Sequence, residues 1–194
     1  MAIQVKRESL DTKARHVSPS YVDKDNVQQL VSSDNQLPVV SVSALRLQEG
    51  NSYSIGVVRD ETDPLAADES LYIAIAFASG VTPTLNISGL CGGDAVGYLY
   101  EDATVTGGTS VPAFNMNRNI PSTSQSAILI DPTITNTGTL LMKQLLIGGN
   151  GKKAGGTEFD TLSVVLRPLT TYLFRLVNVN GTSHVAEIIL NWYE

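Results

Sequence analysis

Two runs of alternating side chains near the C-terminal end restrict what this chain can fold into. Tyr172, Phe174 and Leu176 alternate with Leu173, Arg175 and Val177. Past Asn178-Val179-Asn180-Gly181-Thr182-Ser183, Ala186, Ile188, Leu190 and Trp192 share one face. Glu187, Ile189, Asn191 and Tyr193 share the other. Successive strand residues point to opposite faces, so a period of two with one apolar face marks a half-covered strand. An Asn-Gly pair between two such runs predicts a β-hairpin over residues 171–194. The rest of residues 46–194 is expected to stack as strands against its apolar face.

Strand signals recur upstream. Tyr53, Ile55 and Val57 alternate, and Leu71, Ile73, Ile75 and Phe77 share a face. Opposite them stand Tyr72, Ala74 and Ala76, apolar enough to predict a strand covered on both sides. Leu85 and Ile87 follow Gly-Val-Thr-Pro; Gly92-Gly93-Asp94 leads into a strand over 95–101, where Val96, Tyr98 and Tyr100 align. Further strands are expected over 111–114, 127–130, 139–147 and 162–166. Residues 60–69, 104–110 and 148–157 read as loops: one acidic, one built on Gly107-Gly108, one glycine-rich. No amphipathic helix is expected in this region. About ten short strands with turn signals every 8–12 residues predict an all-β, antiparallel β-sandwich, jelly-roll-like.

Residues 1–45 read differently. Five basic residues (Lys6, Arg7, Lys13, Arg15, Lys24) balance five acidic ones, Pro19 and Pro38 interrupt, and no period holds. Residues 26–31 suggest one short helical turn. Ordering a residue's backbone costs about 1–2 kcal/mol, and this segment has few large apolar side chains to offset that. The expectation is an extended N-terminal arm, 1–45, that is ordered by lying on another surface, with a sandwich domain over 46–194. An arm packed back on its own domain is the alternative.

Composition narrows the partners. The net charge of −6 comes from 46–194, which argues against nonspecific nucleic-acid binding. No apolar run approaches the roughly 18 residues of a membrane helix. Met1 to Arg15 lacks an apolar signal core, so synthesis in a host cytoplasm is expected, with no membrane partner.

The residues that might carry chemistry point away from an enzyme. Cys91 and His184 would have to converge for a papain-like pair; a structural thiol and a strand-edge histidine are the simpler readings. One cysteine and two histidines fall short of the usual structural zinc set. Gly148-Gly149-Asn150-Gly151-Lys152-Lys153 departs from the phosphate-loop pattern at Leu146 and Lys153 and reads as a surface or subunit-contact loop. The acidic stretch Asp60, Glu61, Asp63, Asp68, Glu69 offers calcium-type oxygen ligands without EF-hand spacing; a solvated loop is the simpler reading. Glu101 and Asp102, adjacent in a strand, point apart. Tyr98, Tyr100, Trp192 and Tyr193 are candidates for stacking on sugars, with packing the competing role. No cofactor is expected.

Several short motifs recur together: Tyr98-Leu99-Tyr100-Glu101-Asp102-Ala103-Thr104 before Gly107-Gly108; Asn115-Met116-Asn117-Arg118-Asn119; Asp131-Pro132-Thr133-Ile134 before Gly138-Thr139-Leu140; Gly148-Gly149; and Asn191-Trp192-Tyr193-Glu194. This series, spread over about residues 50–194, resembles small virion structural proteins of tailed bacteriophages, of the head decoration or cement type. Phe159 departs from it, standing where tryptophan is expected. The resemblance implies a noncatalytic accessory sandwich on the capsid surface, bound to the major capsid protein and clustered with its own copies, a trimer favoured. The contact residues expected are Lys6, Arg7, Lys13 and Arg15 in the arm, Asn117, Arg118 and Asn119 in one loop, and Lys152 and Lys153 in another. Arg118 supplies a planar fork for carboxylates or carbonyls; bracing its own loop is the alternative role. A tail or head–tail component and a carbohydrate-binding module are the alternative functions.

Overall fold

The computed structural model describes residues 20–22, 28–30, 42–120, 122–148 and 162–194. The chain divides into two compact units, Met1–Ser41 and Val42–Glu194. In the first, β1 (Ser20–Val22) pairs antiparallel with β2 (Gln28–Leu30), Tyr21 opposite Gln29. Of the helical turn expected over 26–31, the described residues 28–30 are strand. One isolated helical turn forms a single hydrogen bond for a costly nucleus, whereas a pairing strand supplies partners for several backbone groups.

The second unit opens with a helix that the strand pattern did not announce, α1 (Val42–Gln48), which spans the expected 45/46 boundary. Ala44, Leu45, Arg46, Leu47 and Gln48 are all good helix formers. The helix ends in a Schellman turn: Gly50 N donates to Leu47 O at 3.2 Å and Asn51 N to Arg46 O at 2.9 Å. Gly50 has φ 76°, and a Cβ there would come within 2.8 Å of Ile120. At seven residues, α1 is too short to show a 3.6-residue period.

Strands follow in order: β3 (Ser52–Arg59), β4 (Ser70–Phe77), β5 (Thr84–Cys91), β6 (Ala95–Glu101), β7 (Thr104–Thr106), β8 (Thr109–Ser110), β9 (Phe114–Asn115), β10 (Ser126–Ile130), β11 (Thr133–Asn136), β12 (Thr139–Leu146), β13 (Leu162–Val165), β14 (Thr171–Asn178) and β15 (Ala186–Tyr193). Every pairing is antiparallel. One sheet runs β12-β6-β14-β4-β10-β8 and the other β13-β5-β15-β3-β9. The molecule is an all-β antiparallel sandwich, as the alternation predicts.

Its core lies between the sheets. Leu71, Ile73, Ile75, Leu99, Ile128, Tyr172, Phe174 and Leu176 come from one sheet; Leu85, Ile87, Ile188, Leu190 and Trp192 come from the other. Trp192, 1% exposed, stacks on Tyr53 with ring centroids 5.9 Å apart and meets the Phe77 ring edge-on at 6.1 Å. Core side chains of this kind each contribute roughly 1.5–3 kcal/mol on burial.

The terminal hairpin is corrected. β14 pairs with β4 and β6, whereas β15 pairs with β3 and β5, in the opposite sheet. The two apolar faces meet across the core instead of lying side by side. A two-residue type I′ turn needs positive φ at both central residues, and neither Asn180 nor Gly181 has it. The crossing is held instead by Asn178, fully buried, whose amide donates to Leu65 O at 2.9 Å and Thr182 O at 2.8 Å.

Two local readings also change. The Gly107-Gly108 loop contains β7 and β8, with both glycines at positive φ between them. β7 pairs with β11, a strand the pattern did not reveal. This ribbon brings Val105 and Ile134 onto the second face of β4 and β14, over Ala74 and Leu173, so β4 is covered on both sides as expected. Of the strand expected over 111–114, Phe114 alone is in a strand, β9, which runs on to Asn115 and pairs with β3.

Candidate functional site

Six of the expected contact residues, Lys6, Arg7, Lys13, Arg15, Lys152 and Lys153, lie outside the described residues. The other three sit together in the loop after β9. Its Asn-x-Asn-x-Asn spacing has a local cause. Asn side chains accept from the backbone N–H two residues on, forming Asx turns. Asn115 Oδ1 accepts from Asn117 N at 2.8 Å, and Asn117 Oδ1 accepts from Asn119 N at 3.0 Å.

The amide ends anchor the loop. Asn115 donates to Gly50 O at 2.9 Å and Ser122 O at 3.0 Å. Asn117 donates to Leu47 O at 3.0 Å and Gln48 O at 2.9 Å, capping the Gln48 carbonyl and giving Leu47 O a second donor beside Gly50 N at the end of α1. Asn117 is thus turned inward, while Arg118 and Asn119 are exposed. The Arg118 guanidinium lies 4.9 Å from the Phe114 ring centroid, and Phe114 is itself 53% exposed. Arg118 makes no ion pair with a described carboxylate. Leu45, Leu47 and Met116 are exposed nearby, and Leu47 and Met116 line a cleft of about 380 Å³ with Asn191, Trp192 and Tyr193. An apolar patch beside a cation suits protein contact.

The aromatic candidates for sugar stacking are sorted by the pleat of the two sheets. Trp192 is in the core, which removes it from any sugar-stacking surface. Tyr98 and Tyr100 face outward, stacked at 5.9 Å and 13°. Lys143 Nζ lies 5.5 Å from the Tyr98 centroid; the Arg175 guanidinium lies 5.5 Å from Tyr98 and 5.8 Å from Tyr72. Register explains this: Lys143, Tyr98, Arg175 and Tyr72 are cross-strand neighbours on β12, β6, β14 and β4. Sequence reasoning passed over Lys143, Arg175 and Tyr72 as interaction residues. The available signal was a single charged residue in each of two largely apolar strands, Leu140 to Leu146 and Tyr172 to Val177.

The residues weighed for chemistry are placed as follows. Cys91 is buried in the core opposite Ala186, and burial pushes its thiol up. His184 lies over Gly93, its Nε2 3.0 Å from Thr182 Oγ1. In the acidic loop, Asp60 accepts from the backbone and hydroxyl of Thr62, which holds its carboxyl below the usual range. Arg59 pairs with Asp63, with Glu69 at 3.9 Å and with Asp131 at 3.1 Å. Among the described residues no group of His, Cys, Asp and Glu is arranged to hold a metal. Glu101 accepts from the Tyr172 hydroxyl at 2.7 Å and pairs with Arg167 at 3.6 Å.

Fold and surface together define an antiparallel β-sandwich with an exposed apolar patch beside Arg118. Comparison with family models, curated proteins and solved structures finds no match for the chain.

Proposed function

We propose that this chain is a noncatalytic structural protein of a tailed-phage virion, a decoration or cement protein that stabilises the capsid shell by bridging major capsid subunits. The observation that carries the reading is the patch of Leu45, Leu47, Phe114 and Met116 beside Arg118. It is formed by α1, which begins where Met1–Ser41 ends, and by the Asn115–Asn119 motif of the virion-protein resemblance. A body with its own core needs no help to fold, so its surface is available for adhesion. Successive strands β3 to β6 alternate between the two sheets, which supports the jelly-roll-like arrangement. Many modest contacts repeated by the symmetry of a shell add up through avidity, and a symmetric cluster of copies, a trimer favoured, extends that effect.

The test is to mix the purified full chain with heads of the phage that encodes it. Saturable co-sedimentation in high copy is expected, with density on the shell by electron microscopy. It should be lost on deleting residues 1–41 and weakened by Arg118→Glu. A chain that ignores heads, or that decorates only the tail, overturns the reading. So does a body that binds glycan arrays and leaves heads bare.

A further inference from the structure

β12 is an eight-residue strand at the rim of the six-stranded sheet, and among the described residues no strand pairs with its far side. Natural sheets protect such edges by shortening, charging or covering them, because unpaired N–H and C=O groups recruit another strand. β12 is long for an edge and carries one charge. Its outward face shows Leu140, Lys143 and Leu145, the last 59% exposed. An irregularity between Leu140 and Met142 also leaves Leu141 exposed. The edge therefore reads apolar, cationic, apolar.

Behind Lys143 the cationic row continues inward through Tyr98 to Arg175. Arg175 Nε donates to Ser70 Oγ at 3.0 Å. Neither cation forms an ion pair with a described carboxylate, so positive charge stands uncompensated on an aromatic floor in a chain of net charge −6.

We infer that β12 accepts an extended strand of another protein, one whose side chains on this face read apolar, acidic, apolar, with the carboxylate opposite Lys143. The backbone edge, open among the described residues, selects a strand, the exposed leucines select its apolar positions, and the Lys143 ammonium, with no described carboxylate beside it, selects the acid. A second copy of this chain is the poorer occupant. Thr139–Leu146 contains no Asp or Glu, so β12 paired with itself would offer Lys143 no carboxylate. The inference goes beyond the shell reading and stands without it, since a strand acceptor can serve any assembly.

The probe is a synthetic peptide of about ten residues, alternating valine and threonine around one central aspartate, with a lysine-centred twin as control. Calorimetry on the full chain should find the aspartate peptide bound about tenfold or more tightly than its twin. Hydrogen exchange should show new amide protection on β12. The preference should reverse in Lys143→Glu. Lys143 is exposed, so this variant should melt as wild type does; if it fails to fold, Lys143→Gln should abolish the preference. Equal binding of both peptides, binding of neither, protection away from β12, or a preference untouched by Lys143 substitution overturns the inference.

Discussion

The side-chain amide of Asn117 donates to the backbone carbonyl of Leu47 at 3.0 Å, fastening the loop after β9 to the end of α1 across 70 positions of sequence. That bond makes the patch around Arg118 a fixed surface instead of a loose loop.

Asn117→Ala should therefore cost about 1 kcal/mol in denaturant unfolding, because Gln48 O loses its amide donor, Leu47 O keeps only Gly50 N, and the Asn119 turn loses its acceptor. Arg118→Ala should leave unfolding nearly unchanged, since its guanidinium rests on an exposed ring. The contrast separates the residue that shapes the patch from the one that faces outward. Equal losses for the two variants would refute it.

Trp192 is the only tryptophan and sits between Tyr53 and Phe77. Its fluorescence should be blue-shifted in the native state and report global unfolding directly. Trp192→Ala should cost about 3–5 kcal/mol, and Trp192→Phe clearly less. An emission maximum typical of water-exposed indole in the folded protein would contradict this placement.

Asn178 fills a polar position in an otherwise apolar wall. Replacing it with the near-isosteric Leu removes the amide donor from the carbonyl of Thr182 and the acceptor from Asn180 N, while Leu65 O and Ala66 O keep only the backbone amides of His184 and Glu69. Although Leu is more hydrophobic, Asn178→Leu should destabilise by about 1–3 kcal/mol. An unchanged or raised melting temperature would count against the role assigned to the amide.

Burial, followed in weight by the hydrogen bond to the Glu101 carboxylate, pushes the Tyr172 hydroxyl from its ordinary 10.0 up to about 12. The folded state thus holds this proton more tightly than the unfolded chain. Its contribution is complete below pH 10 and fades as pH climbs toward about 12. Cys91, shifted in the same direction, adds to the alkaline loss. Tyr172→Phe isolates the tyrosine part: stability plotted against pH in this range should fall less steeply in the variant than in wild type.

Most strands were legible because period two is local. Leu71 to Phe77 and Ala186 to Trp192 show their inward residues without reference to any partner. α1 was not legible, since seven residues are too few to establish a helical period, and β11 was not, since Ile134 is the one apolar residue in Thr133–Asn136. In the candidate patch, Asn115–Asn119 was legible as a motif of the resemblance, with an Asn at every second position. That spacing encodes Asx turns, and only the fold shows Asn117 turned inward and Arg118 left facing out.

The sequence by itself determined an all-β chain whose longer strands each carry an apolar face, two in the case of β4, because side-chain alternation depends only on neighbours along the backbone. The tertiary structure alone decided that β14 and β15 belong to opposite sheets, and that Lys143, Tyr98, Arg175 and Tyr72 form one row. Strand pairing joins residues far apart in sequence, and the choice among partners is made by how whole faces pack, which no local pattern records.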